Sequence, residues 1–171
     1  IRGRILAKQG KLPEAEQALV CALELGKTNM ANYITLASLY TERKELEKAR
    51  PVLEKMATAF PESSQPFVHL ANLELLAHER DKAEAHVRQA LQVEPKNSQL
   101  RVTLAEFYRT QGNIDRAEQL YKEAIALSDK PAEIEAKLAN LSFDAGKFEQ
   151  AREMLTRATK AGDANATASL V

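Results

Sequence analysis

The chain has no tryptophan, a single cysteine, six glycines and six prolines in 171 residues. One cysteine cannot close an internal disulfide, so no covalent staple holds this fold and neither an oxidising nor a reducing compartment is indicated. No apolar run reaches the roughly 20 residues that a membrane helix needs, which excludes direct insertion by a helix. Twenty-four Lys and Arg balance 24 Asp and Glu, so the uniform basic field of a nucleic-acid binder is absent. Glycines are too scattered to form a phosphate loop. The chain opens Ile1-Arg2-Gly3 rather than with methionine, which reads as a cut from a longer protein, and no basic-then-apolar leader is present. What abounds is alanine, 28 residues of it, a composition biased towards helix.

The alanines are periodic. Ala15, Ala49, Ala83, Ala117 and Ala151 stand 34 residues apart without insertion or deletion. Leu36, Leu70, Leu104 and Leu138 keep the same period, each followed by an alanine. Ala22, Met56, Ala90, Ala124 and Ala158 form a further column, and Leu19, Leu53, Val87, Tyr121 and Leu155 another. Within one period the apolar spacing is helical and is interrupted once. Leu100, Leu104, Phe107 and Tyr108 make one stripe, and Ile114, Ala117, Tyr121, Ala124 and Ile125 a second. Between them lies Gln111-Gly112-Asn113, a helix stop followed by an N-cap residue.

Gly10 and Gly146 share the Gly112 column, while Lys44 and His78 replace glycine in the second and third copies. A tight helix-to-helix turn calls for positive φ there, at a cost on the order of 1 kcal/mol for each non-glycine residue. Pro61 and Pro95 should follow helix ends, and Pro13, Pro66 and Pro131 should sit in first turns. Pro51 falls about a turn into a helix and predicts a late start or a kink. Ala37 against Ala49, and Ala71 against Ala83, are the expected points of close helix approach. No single 34-residue hairpin buries enough apolar surface alone, so stability must come from stacking.

These residues resemble the tetratricopeptide repeat, a 34-residue helix-turn-helix unit. The stretch Thr103-Leu104-Ala105-Glu106-Phe107-Tyr108-Arg109-Thr110-Gln111-Gly112-Asn113-Ile114-Asp115-Arg116-Ala117-Glu118 carries the family's Leu, small residue, Tyr, Gly and Ala at their spacings, with Pro95 ahead of it. The family's early aromatic is present as Tyr33 and Phe67 and lost at Arg101 and Glu135. Its tyrosine is kept at Tyr40 and Tyr108 but replaced by Glu74 and Ser142, departures expected to weaken packing at those points. The resemblance covers nearly the whole chain. Pentatricopeptide repeats, which read RNA, have a 35-residue period, so the constant 34 and the charge balance argue against them.

The resemblance implies an all-α fold, a right-handed α–α superhelix of antiparallel helix pairs. The repeats would be 1–29 (first helix truncated), 30–63, 64–97, 98–131 and 132–165, with 166–171 opening another helix. An apolar end around Met154, Ala158 and Ala161 would allow end-to-end self-association of the chain.

The resemblance also implies a concave groove lined by the first helix of each repeat. Its residues would be Ile34, Ser38, Thr41, Gln65, Val68, Asn72, Leu75, Gln99, Val102, Glu106, Arg109, Ala136, Asn140 and Phe143. Ile34, Val68, Val102 and Ala136 form an apolar column. Asn72 and Asn140 occupy the column where family members hold a ligand backbone, an asparagine amide donating and accepting at once. The bland alternative is that the apolar column packs against the next repeat and the asparagines are solvated. The columns that would supply a lysine clamp for a partner's C-terminal carboxylate hold Ile34, Val68, Val102 and Ala136, so no such clamp can be assembled.

His69, His78 and His86 are not spaced for one metal, and no Cys or acidic cluster completes a site, so neither metal nor cofactor is expected. His69 belongs to the groove, His78 to a turn and His86 to the surface. Cys21 lacks the His and Asp partners of a nucleophile. The mixed charges of Glu42-Arg43-Lys44-Glu45-Leu46-Glu47-Lys48 read as a solvated turn and helix face. Nothing reads as catalytic. The expected function is a protein-interaction scaffold binding a peptide or helical segment of a partner in the groove. Two other readings stay open, a regulatory or recruiting segment of a larger enzyme and a component of bacterial envelope or exopolysaccharide export.

Overall fold

The computed structural model describes residues 2–26 and 29–160, with side-chain surroundings to residue 156. The described residues form ten helices and no strand. They are α1 (Arg2–Lys8), α2 (Leu12–Glu24), α3 (Met30–Glu42), α4 (Leu46–Ala59), α5 (Gln65–Leu76), α6 (Arg80–Val93), α7 (Ser98–Thr110), α8 (Ile114–Leu127), α9 (Pro131–Asp144) and α10 (Phe148–Lys160). Two compact units result, residues 1–94 and 95–171, and the division falls where Pro95 follows a helix end. The first unit contains α1–α6 and the second α7–α10.

Both units are built from hairpins of consecutive helices. In unit 1, α1 pairs with α2, α3 with α4 and α5 with α6, and successive hairpins meet where α2 packs on α3 and α4 on α5. In unit 2, α7 pairs with α8 and α9 with α10, joined by α8 on α9. The alanine columns sit where helices approach. Ala15, Ala49, Ala83 and Ala117 are wholly buried, Ala151 nearly so, and Ala37, Ala71, Ala105 and Ala139 are buried beside them. Gly3 occupies the last of these columns in α1. A Cβ there would lie 2.6 Å from Cγ of Leu19, inside van der Waals contact. Only a glycine lets α1 lie that close to α2.

The turn between the two helices of every hairpin has one geometry. Gly10, Gly112 and Gly146 have φ of 74°, 77° and 75°, and Lys44 and His78 adopt 62° and 61° in the same place. The next residue in each turn donates its N–H back into the first helix: Lys11 to Leu6, Glu45 to Tyr40, Glu79 to Glu74, Asn113 to Tyr108 and Lys147 to Ser142. This left-handed closure satisfies carbonyls that the helix end would leave unbonded. Asn29, Asn97 and Asn113 cap α3, α7 and α8 by accepting from the N–H of Ala31, Leu100 and Arg116. Pro13, Pro66 and Pro131 stand in first turns, and Pro61 and Pro95 follow α4 and α6.

One alternative for Pro51 is excluded and the expectation for Glu74 is revised. Pro51 does not delay its helix: α4 starts at Leu46 and runs through the proline to Ala59. A proline this near the start removes one early N–H bond, and the buried face of Ala49, Leu53 and Met56 holds the helix together. Glu74, in place of the family tyrosine, does not leave a weakened contact. Its carboxylate, almost fully enclosed, takes both arms of the Arg50 guanidinium at 2.8 and 2.9 Å, tying α5 to α4. One repeat earlier the retained Tyr40 donates its hydroxyl to Glu16 of α2 at 3.1 Å. Ser142 is buried too, and its hydroxyl donates within α9 to the Leu138 carbonyl. The Ala158 side chain, Ala161 and residues 166–171 lie outside the described residues.

Candidate partner-binding faces

In unit 1 the stripe Ile34, Ser38 and Thr41 on α3 follows the 3–4 spacing that puts side chains on one helix face. Opposite it on α5 stand His69 and Asn72, four and seven positions after Gln65. Together these five residues line an open cavity of about 300 Å³, with Leu53 and Leu73 among its walls. A neighbouring cavity of about 420 Å³ opens between α1 and α3 and shares Ile34, Ser38 and Glu42 with the first. The two form one face running across α1, α3 and α5. Thr41 spends its hydroxyl on the Ala37 carbonyl at 2.8 Å. The exposed Asn72 amide has no hydrogen-bond partner among the described residues. Burial pushes the His69 imidazole below its ordinary pKa, so it is neutral near pH 7 and offers one donor and one acceptor. Gln65 and Leu75 are exposed and Val68 is half-buried on α5, outside both cavities.

In unit 2 the corresponding residues are taken up by one another. Glu106 on α7 accepts from the Tyr121 hydroxyl at 2.6 Å and from Arg109 Nε at 2.8 Å, and Lys137 of α9 approaches to 3.4 Å. Arg109 also reaches Asp144 at 3.6 Å. Burial alone would raise the Glu106 carboxyl, but the bonds from Tyr121 and Arg109 outweigh it and hold the group below the usual carboxylate range. The Tyr121 hydroxyl is pushed up, first by burial and then by the carboxylate it faces. The network crosslinks α7, α8 and α9 and leaves Glu106 and Arg109 little capacity for a ligand. Asn140 is half-buried on α9, and Phe143 meets Phe148 edge-on with centroids 5.2 Å apart, both rings exposed. Gln99 is exposed and Ala136 half-buried.

Val102 requires a correction. It is only 2% exposed, so it is a core residue and presents nothing to a partner. Its column mates Ile34 and Val68 are only partly buried, and the column alone does not distinguish them.

Four residues that bond one helix to the next have no role in the sequence reading: Glu16, Arg50, Tyr121 and Lys137. A usable signal was the 24-residue separation that links Glu16 to Tyr40 and Arg50 to Glu74, joining two columns of the same period. Cys21 is an exposed free thiol, and His86 bonds Gln89 on the surface. Among the described residues no group of three or more His, Cys, Asp or Glu is placed to hold a metal, and no helix is long and apolar enough to cross a membrane.

The fold has well-defined counterparts among solved structures. MamA superposes with a TM-score of 0.74 at 16% identity, covering 92% of each chain. YrrB, described as a TPR protein with an unusual peptide-binding site, gives 0.69 at 18% identity over 96% of this chain and 85% of its own. BtubC from P. vanneervenii gives 0.70 at 21% identity over 92% and 76%. No curated protein matches the chain. The sequence model described as tetratricopeptide repeat matches residues 74–124 and 108–170, more than half of the chain. With the turn geometry and the buried alanine columns already in place, this chain belongs to the tetratricopeptide repeat family.

Proposed function

We propose that the chain is a protein-interaction scaffold whose binding face lies across α1, α3 and α5 and takes an extended or helical segment of a partner. The observation that carries this reading is the pair of adjoining open cavities sharing Ile34, Ser38 and Glu42, with the unpartnered Asn72 amide beside them. An apolar floor supplies affinity through burial, and a free amide fixes a peptide main chain by donating and accepting together. The description of YrrB as having a peptide-binding site supports the same use of this fold. In unit 2 Glu106 and Arg109 act as internal crosslinks.

The test compares affinity capture by the wild-type chain with capture by Asn72→Arg and Ser38→Arg. Both positions are exposed, and far-ultraviolet circular dichroism checks that the variants fold. Partners retained by wild type and lost by both variants support the face. Unchanged capture by two folded variants refutes it.

A further inference from the structure

One edge of the unit 1 face carries charge that the fold leaves uncompensated. Arg4 and Lys8 stand one helical turn apart on α1 and line the cavity of about 420 Å³, with Glu42 of α3 also on its wall. None of the three has an ion-pair partner among the described residues. Arg4 Nε is moreover closed off from solvent without a hydrogen-bond acceptor. Buried donors are ordinarily satisfied, and an orphan of this kind calls for an explanation.

The chemistry of an occupant follows from these walls. A guanidinium presents paired N–H groups that match a carboxylate, and an ammonium one turn away adds a second charge-assisted donor. The cavity wall between the charges includes the apolar side chains of Ala7, Ile34 and Leu39. Ser38, which borders both cavities, leads on to the free amide of Asn72.

We infer that this face selects an acidic segment of a partner protein, with an Asp or Glu side chain seated on Arg4 and Lys8, an adjacent aliphatic residue over Ile34, and the main chain against Asn72. The inference rests on the proposed face across α1, α3 and α5 and adds the charge of what that face accepts. A carboxylate on the ligand supplies the ion-pair partner that the cavity-lining Arg4 and Lys8 lack among the described residues. The carboxylate belongs to a side chain, so a free C-terminus is not required.

The test is selection of random twelve-residue peptides, displayed with their C-termini fused, on the immobilised chain. Enriched sequences are then made as C-terminally amidated, fluorescent peptides and titrated by anisotropy. Expected are enrichment of Asp or Glu beside Leu, Ile or Val, and affinity that falls as salt is raised. Binding should weaken about tenfold or more on replacing the peptide's acidic residue by its amide, the loss typical of a charge-assisted contact. Arg4→Gln should reproduce that loss and Arg4→Lys should restore part of it. Lys8→Gln, at an exposed position, gives a second measure that does not depend on the packing around Arg4.

Absence of any enriched peptide, or amide-substituted peptides that bind as tightly as acidic ones, overturns the inference. Binders that lose affinity with Asn72→Arg but not with Arg4→Gln or Lys8→Gln overturn it while leaving the face in place. Binders indifferent to Asn72→Arg and Ser38→Arg remove the face and the inference with it.

Discussion

Lys44→Gly and His78→Gly should each stabilise the chain, although glycine is ordinarily a poor substitution. Both residues hold φ near 60° in turns where three other hairpins use glycine. A left-handed conformation costs an L-residue about 1–2 kcal/mol through crowding of Cβ against the backbone. Removing the side chain also frees the unfolded chain, which offsets about 0.4–1 kcal/mol of that gain. The balance is a net gain of about 0.5–1 kcal/mol per site. Neither side chain has a bonding partner to lose among the described residues, and both are exposed. The sites lie in different hairpins, so the double variant should gain about 1–2 kcal/mol by addition. Urea unfolding followed at 222 nm should show the midpoint rising with an unchanged slope, and the melting temperature should rise by about 2–4 °C per kcal/mol. Gly112→Ala is the reverse experiment. A Cβ there meets nothing within 4 Å, so its loss, about 1 kcal/mol, is backbone strain alone. If the glycine substitutions lower the midpoint, or if Gly112→Ala is neutral, the strain argument for these turns is wrong.

The Arg50–Glu74 pair gives two further tests. Arg50→Met strands a carboxylate whose side chain is 2% exposed, and unfolding should become easier by about 3 kcal/mol or more; combining Arg50→Glu with Glu74→Tyr rebuilds the Glu16–Tyr40 arrangement and should recover most of that loss in the same urea assay. Arg50 holds the Glu74 carboxyl below its ordinary 4.5, so its stabilisation is present above about pH 4.5 and disappears as pH falls through the lower folded value; the stability difference between wild type and Glu74→Gln should therefore shrink from pH 6 to pH 3, and a difference that stays constant would show that the pair contributes no such linkage.

The period, the helix pairs and the turns were legible because each is written several times over. Ala15, Ala49, Ala83, Ala117 and Ala151 state one packing requirement in five places, and Lys44 and His78 could be assigned positive φ only because Gly10, Gly112 and Gly146 share their column. The remainder was hidden for a physical reason. A column fixes where a residue stands on its helix but not what its neighbours leave open. Ile34, Val68 and Val102 share a register, yet only Val102 is enclosed. Glu74 looked like the loss of a tyrosine because the compensating change, Arg50, lies 24 residues earlier on another helix. Such pairs conserve the contact while exchanging its chemistry, a hydroxyl on a carboxylate in one repeat and a guanidinium on a carboxylate in the next.

The same distinction between position and partner locates binding capacity along the chain. Arg4, Ser38, Asn72, Glu106 and Asn140 stand at intervals of 34 and occupy equivalent places on first helices. Equivalence of backbone would make them equally good ligand contacts. They are not, because a polar group already bonded within the fold must surrender that bond before it can hold a partner, and the exchange leaves little net gain. Glu106 has Tyr121, Arg109 and Lys137 around it, and their bonds and charges hold its carboxyl below the usual range despite burial. Among the described residues, Arg4 lines the cavity without an ion-pair partner and Asn72 has an exposed amide without a bond. For these two a ligand's hydrogen bonds displace nothing from the protein. The repeat therefore specifies the scaffold five times, while the proposed recognition draws on the positions in a column whose side chains the fold itself has not used, those on α1, α3 and α5 rather than on α7.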